Sequence, residues 1–322
     1  MEFSERSVAC RTIDTDDKTY RISTGQDNQS LTDSIAALGL IHPPIVLSKK
    51  DKFCIVSGFK RVQVCHRIGM QHIPVRIACG GPTELAYAKL AVADNSFQRT
   101  LNLVEIARAV ALLKPHFDSM AALAATAGEL SLPANPEFLK KVALLITLPQ
   151  SIQKQVVSGD IALPTALELL ACDLSSILVL ADIFGALKLS LNKQREVLTL
   201  LKEIAAIEDI SIIEVLQDER FQSLLAEKDL DMAQKRLQFR SRLKGRRFPA
   251  LSRAETQLLG LIKELPLGRY WQINSPKHFE APTYVFRAAV RNSDELADAC
   301  TQLRKILQAP ALKEIFKLAL KI

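Results

Sequence analysis

The sequence predicts an α+β protein of several domains: a small mixed α/β domain, a mostly helical middle and a small α+β C-terminal unit. Three observations carry this. The chain has 322 residues, enough for two or three cores. Residues 18–80 alternate short apolar runs with short amphipathic stretches, the pattern of strands interleaved with helices. After Pro82 the apolar residues recur at i, i+3 and i+4 almost as far as Arg247. The expected divisions are 1–81, 82–173, 174–248 and 249–322.

In the first part, KTYRIS (18–23) reads as a short strand. SLTDSIAALG (30–39) reads as a helix, with Ser30 or Thr32 as N-cap and Gly39 as its stop. PPIVLS and KFCIVSG read as two strands about a polar turn at 49–52. A helix from about Lys60 to Ile68 follows, then the strand IPVRIA and a break at GGP (80–82).

TELAYAKLAVADN, LVEIARAVALL, SMAALAATAG, PEFLKKVALLI, PQSIQKQVVSG and LPTALELLA read as successive helices. Asn135 caps the fourth and Pro136 sits in its first turn. Longer helices fill 174–247, and Pro249 stops the last of them. Beyond it the order is helix (254–263), strand RYWQIN, turn SPKHFEAP, strand TYVFRAAV and two helices (293–307 and 310–320). Trp271, Phe279, Tyr284 and Phe286 fit the core of this unit or a dimer face. No internal repeat is visible.

No apolar run reaches the ~18 residues a membrane helix needs, and the first residues carry Glu2, Glu5 and Arg6 with no apolar signal core. The expected location is the cytoplasm. The six cysteines form no CxxC pair and no zinc spacing, so reduced, mostly buried thiols are expected. The five histidines sit at no ligand spacing; His116 and His278 read as turn residues.

The net charge of +7 is uneven. Residues 42–76 carry seven cations (Lys49, Lys50, Lys52, Lys60, Arg61, Arg67, Arg76) against Asp51 alone. Residues 233–248 carry seven (Lys235, Arg236, Arg240, Arg242, Lys244, Arg246, Arg247) and no acid. Such clusters favour polyanions, either nucleotide phosphates or a nucleic-acid backbone.

One short string combines these cues. SGFKR (57–61) places a glycine between a strand and a helix with two cations in its first turn. A helix N-terminus offers unpaired N–H groups and partial positive charge, and Gly58 admits an anion close to the backbone. A tight turn bearing two surface cations satisfies the same residues.

The order of elements then resembles the ParB/sulfiredoxin-like superfamily, specifically ParB-type partition proteins. The stretches that carry it are SLTDSIAALGLIHPPIVL (30–47), FCIVSGFKRVQVCHRIGMQHIPVRI (53–77), ADNSFQRTLNLVEIARAVALL (93–113) and TLPQSIQKQVVSGDIALPTALELL (147–170). It covers roughly residues 18–172.

The resemblance implies CTP binding with Mg²⁺, coupled to a clamp on DNA. Ser57, Gly58, Phe59 (through its backbone), Lys60 and Arg61 would hold the triphosphate. Asn95 would hold the metal, and Asp94 occupies an acidic position implicated in hydrolysis. A weak CTPase, a homodimer and a partition ATPase partner belong to the same expectation. Phe59 stands in place of the family's Glu, Lys60 in place of its first Arg and His42 in place of a Gln. The Arg after the Asn is Arg99, displaced by one. These departures touch hydrolysis and base choice more than phosphate binding.

The nearby CHR (65–67) looks like a sulfiredoxin redox turn, but the redox Cys would follow Gly58 directly. Cys65 instead shares a helical stripe with Val62, facing the sheet. For DNA, residues 119–128 and 136–146 have the order of a diverged helix-turn-helix, with Lys140 and Lys141 on the second helix. The stretch 235–247 would touch phosphates without reading sequence. Two other functions fit the residues: a nucleotide-inactive ParB-fold module for DNA or protein, and a small-substrate kinase or nuclease using the same pocket.

Overall fold

A computed structural model describes residues 1–25, 29–49, 51–274 and 283–318. The chain divides into two compact units, Met1–Leu191 and Asn192–Ile322. The architecture is α+β throughout: a small sheet and a helical array in the first unit, helices and a two-stranded hairpin in the second.

The first unit is built on a five-stranded mixed sheet of order β1-β5-β3-β4-β2. The strands are Glu2–Ala9 (β1), Ile13–Asp14 (β2), Ile45–Lys49 (β3), Lys52–Ser57 (β4) and His72–Cys79 (β5). β3 and β4 form the expected hairpin, antiparallel, with a register shift between Ile45 and Val46. β3 runs parallel to β5. Helix Gln29–Leu38 (α1) precedes β3, and Phe59–Arg67 (α2) joins β4 to β5. Val46, Ile55, Val56, Val62, Val64, Cys65, Ile73 and Val75 are buried and make the core between sheet and helix.

Three local features differ from the sequence reading or go beyond it. KTYRIS is not a strand, although Tyr20 and Ile22 are buried. Its carbonyls are taken by a side chain: Arg108 Nη1 donates to Ser23 O at 3.0 Å and Ile22 O at 3.4 Å. Ser30 and Thr32 lie inside α1, which begins at Gln29, so neither caps it.

The third concerns β1, which no apolar alternation announces. Only Val8 of it is buried, and it is held by its ladder to β5 from Glu2↔Cys79 to Ala9↔His72. The Arg76 guanidinium also lies over the Phe3 ring, 4.4 Å from the centroid.

The helical part of this unit runs Glu84–Ser96 (α3), Leu103–Leu113 (α4), Met120–Glu129 (α5), Pro136–Ala143 (α6), Gln150–Ser158 (α7), Leu163–Leu169 (α8) and Leu174–Leu187 (α9). Each of α3 to α6 starts on a side-chain cap, from Thr83, Asn102, Ser119 and Asn135 in turn. α4 is the central element. Its Val104, Ile106, Ala107, Ala109, Val110 and Leu113 are buried, and α5, α6 and α7 pack against it.

In the second unit, Leu191–Glu208 (α10), Ile212–Gln217 (α11), Glu219–Ala226 (α12), Met232–Arg247 (α13) and Pro249–Glu264 (α14) follow in order. Pro249 does end the basic helix, but it also opens α14 at its first position, five residues before the expected start, because a helix's first turn tolerates a missing N–H.

Trp271–Asn274 (β6) and Val285–Ala288 (β7) pair antiparallel. Ser293–Gln308 (α15) and Pro310–Leu318 (α16) close the unit. The turn joining β6 and β7, with His278 and Phe279, lies outside the described residues. Tyr284 is buried in the core with Leu258, Ile306 and Ile315, and Trp271 and Phe286 pack against it. Tyr284 donates to Ile315 O at 2.9 Å, and Trp271 Nε1 to Ala299 O at 3.0 Å.

Candidate functional site

β4 ends in Ser57, which is buried, and hands directly to α2 through Gly58. Gly58 has φ 94°, in the left-handed region. A Cβ there would lie 2.8 Å from Pro44 Cβ and 3.0 Å from Pro44 Cα. Conformation and space both exclude a side chain. Gly58 also stands as the N-cap of α2 with no side-chain cap, so the first N–H groups of the helix carry no capping partner from that residue.

All five residues of SGFKR line one cavity of about 740 Å³, with the Phe59 side chain itself buried. The cavity wall also includes His42, Arg76, Asp94, Asn95, Gln98 and Arg99. Its apolar side comes from Leu31 and Ile35 of α1 and from Leu40, Ile41 and Ile45 after it. Every residue assigned to nucleotide or metal from the sequence therefore lines this one space. Its size suits a nucleotide; ligand cavities run to about 300–1,000 Å³.

Arg61 is more tied than a free phosphate ligand would be. Its Nη1 donates to His42 O at 2.6 Å, and Nη2 lies 3.7 Å from Asp94 Oδ2. Burial lowers its pKa and the Asp94 carboxylate opposes that. Arg61 thus clamps the His42–Pro43 backbone to α2 and keeps its remaining donors at the cavity. The Lys60 ammonium reaches over Gly25: a Cβ on Gly25 would lie 2.7 Å from Nζ.

Asp94 accepts from the Ser57 hydroxyl and, at 3.1 Å, from Gln98 Nε2. Its carboxylate is thus engaged on both oxygens. Asn95 Nδ2 donates to Ala91 O at 2.8 Å, which leaves the amide oxygen as its remaining polar atom. Among the described residues no group of three or more His, Cys, Asp or Glu could hold a metal by itself. A carbonyl oxygen beside a carboxylate fits a hard cation that keeps its waters and takes its other ligands from phosphate.

A second set of residues behind this wall escaped the sequence reading. Glu105, on α4, is 2% exposed and accepts five hydrogen bonds. Arg99 grips it with both nitrogens, at 2.6 and 2.8 Å. Thr24 N donates at 2.9 Å, Thr24 Oγ1 at 3.3 Å and Asn102 N at 3.2 Å. Burial pushes its pKa up, but Arg99 and the two backbone donors outweigh that and hold the carboxyl below its ordinary value. The spacing Asn102-x-x-Glu105 before an apolar run is a capping box and signalled the residue.

The residues assigned to DNA lie elsewhere. Lys140 and Lys141 are exposed on α6, which packs against α5; Leu130 to Asn135 connect the two. The stretch 235–247 is α13, and its charge is not free. Arg240 and Lys244 bind Glu196 at 2.6 and 2.9 Å, Arg246 binds Glu208 and Asp218, and Arg247 binds Glu203 at 2.5 Å. Lys235 donates to Leu225 O and Arg242 to Arg220 O. Arg236 also has an interaction partner. Cys65 is fully buried, and burial pushes its thiol up to about 11, so it is no redox nucleophile at neutral pH.

With this geometry in place, comparison with known proteins is informative. Residues 6–95, which hold most of the sheet with α1, α2 and nearly all of α3, match the family model of the ParB N-terminal domain. No curated protein matches the chain. Among solved structures, it is similar to the C-terminally truncated chromosome-partitioning protein ParB of Caulobacter crescentus complexed with CTP-γ-S (20% identity, 56% of this chain, 98% of that chain, TM-score 0.27). The same Caulobacter protein complexed to the centromeric parS site matches at 19% identity, over 59% of this chain and 96% of that one, TM-score 0.33. A Pnob8-like ParB-N domain matches at 12%, over 76% and 98%, TM-score 0.39.

Proposed function

We propose that the protein is a ParB-like DNA-binding protein of DNA partition that takes CTP with Mg²⁺ at the Gly58–Arg61 turn and uses its occupancy to gate a DNA clamp. One observation carries the reading: within a ParB N-terminal domain, Ser57, Gly58, Lys60, Arg61, Asp94 and Asn95 line one cavity of about 740 Å³. The α2 N-terminus and Lys60 hold phosphate, Arg61 fixes the wall, and Leu31, Ile35 and Ile41 pack the base.

Asn95 would hold Mg²⁺ with the Asp94 carboxylate beside it, and the ion would supply positive charge to the phosphates. Cytosine follows from the family resemblance. A clamp needs two arms, hence a homodimer. The exposed Lys140 and Lys141 on α6 contact DNA, and a partition ATPase is the matching partner. The expected division of labour is residues 1–81 for nucleotide, 82–173 for DNA and 249–322 for dimerisation or partner binding.

Binding is better supported than turnover. Phe59 offers no carboxylate, and the Asp94 carboxylate is already engaged by Ser57 and Gln98. That favours a second reading, a clamp that binds nucleotide and hydrolyses it slowly or not at all. Calorimetric titration of CTP, ATP and GTP with Mg²⁺ tests both on wild type and Lys60→Ala. CTP binding weakened by the substitution, with little phosphate release, is expected. Absence of binding for every nucleotide overturns the proposal.

A further inference from the structure

A second cavity, of about 710 Å³, lies between the 18–24 segment and helices α4 and α7. Ser23 lines both this cavity and the one described above, so the segment is a shared wall. Its lining brings together Lys18, Arg21, Arg108 and His116, with Glu84 as the one acid.

None of the four basic side chains is ion-paired among the described residues. Arg108 is half-buried and donates to Ser23 O and Ile22 O, carbonyls that carry no full charge. Burial lowers its pKa, the positive charge of Arg21 lowers it further, and the Glu105 carboxylate opposes both. The nearest buried carboxylate, Glu105, is already gripped by Arg99. Arg21 and Arg108 thus line one cavity whose single acid is Glu84, and neither is ion-paired among the described residues. Tyr20 lines the same wall, and burial pushes its hydroxyl up to about 12. Guanidinium forks match phosphate oxygens in spacing and plane.

We propose that this cavity is a second anion site that takes a phosphate group, with Arg21 and Arg108 as its principal ligands and Lys18 and His116 at its edge. The assignment stands on the uncompensated cations and is independent of the nucleotide reading. The same chemistry fits a free phosphorylated molecule or one phosphate of a nucleic-acid backbone.

The test uses the full chain with inorganic phosphate as probe, followed by calorimetry and thermal shift on wild type, Arg21→Glu, Lys18→Glu and Lys60→Ala. Arg21→Glu and Lys18→Glu should each weaken a phosphate-binding component about ten-fold or more, since a charge-assisted contact contributes about 1.5–3 kcal/mol. Lys60→Ala should leave that component in place. Lys18 is exposed, so its variant tests the site without disturbing the fold.

A mixed-sequence DNA duplex then separates the sources. If the slope of log affinity against log salt falls by about 1 in Arg21→Glu, the site takes a backbone phosphate. If phosphate binding weakens while the duplex slope is unchanged, it takes a free phosphorylated ligand. Phosphate binding in both charge-reversal variants equal to wild type overturns the proposal.

Discussion

The segments 42–76 and 233–248 each carry seven cations, yet the fold uses them differently. In the first, Lys49, Lys52 and Arg76 pair at the surface with Asp17, Asp14 and Glu5, while Lys60 and Arg61 line a cavity where Asp94 is the facing acid. In the second, Arg240, Lys244, Arg246 and Arg247 are bound by Glu196, Glu208, Asp218 and Glu203 from α10 and the α11–α12 junction. Local charge density is therefore a poor measure of free charge. What decides is whether the acids that neutralise a cation arrive from another element.

The largest effect expected is on the frame behind the first cavity. Glu105→Ala should cost about 3 kcal/mol in urea unfolding, because it leaves two backbone N–H groups unmet and removes the buried carboxylate that the exposed Arg99 grips. The sign with pH follows from its lowered carboxyl: its contribution is full above the ordinary carboxylate range and is lost as pH falls through the lower folded value. Acid unfolding of the Ala variant should lack that component.

Gly58→Ala comes next, at about 2 kcal/mol from left-handed strain of about 1–2 kcal/mol plus the contact with Pro44. It should also reduce nucleotide affinity by more than about ten-fold in calorimetry.

Lys60→Ala sharpens the contrast: stability within about 0.5 kcal/mol of wild type, but nucleotide affinity down about ten-fold. Arg246→Ala should do the reverse. It costs about 1 kcal/mol, discounted for the partial exposure of its carboxylates, and leaves nucleotide binding unchanged. A stability loss in Lys60→Ala, or none in Arg246→Ala, breaks the comparison. For the whole of α13, the salt slope of duplex binding should fall well short of the about −6 that seven free cations would give.

Much of this was legible in the sequence because the signals were local. Gly39 and Gly69 after helices, Pro43 and Pro44 before β3, and the Asn135 cap each mark an element within a few residues. SGFKR was legible for the same reason. β1 was not, since EFSERSVA has no apolar alternation and is held by backbone pairing to a strand some seventy residues on. KTYRIS misled because its β-like residues are buried without a ladder; Arg108 supplies the hydrogen bonds instead. The neutralisation of α13 depends on acids 28 to 48 residues away and on the path of the chain between them.

The burial of Phe59 has a kinetic consequence. A loop whose first helical side chain is locked in the core has its conformational entropy removed at folding, not at ligand capture. On the proposed function, the turn that would meet the phosphates is then preorganised. Association at this turn should be limited by diffusion and orientation rather than by ordering of the loop.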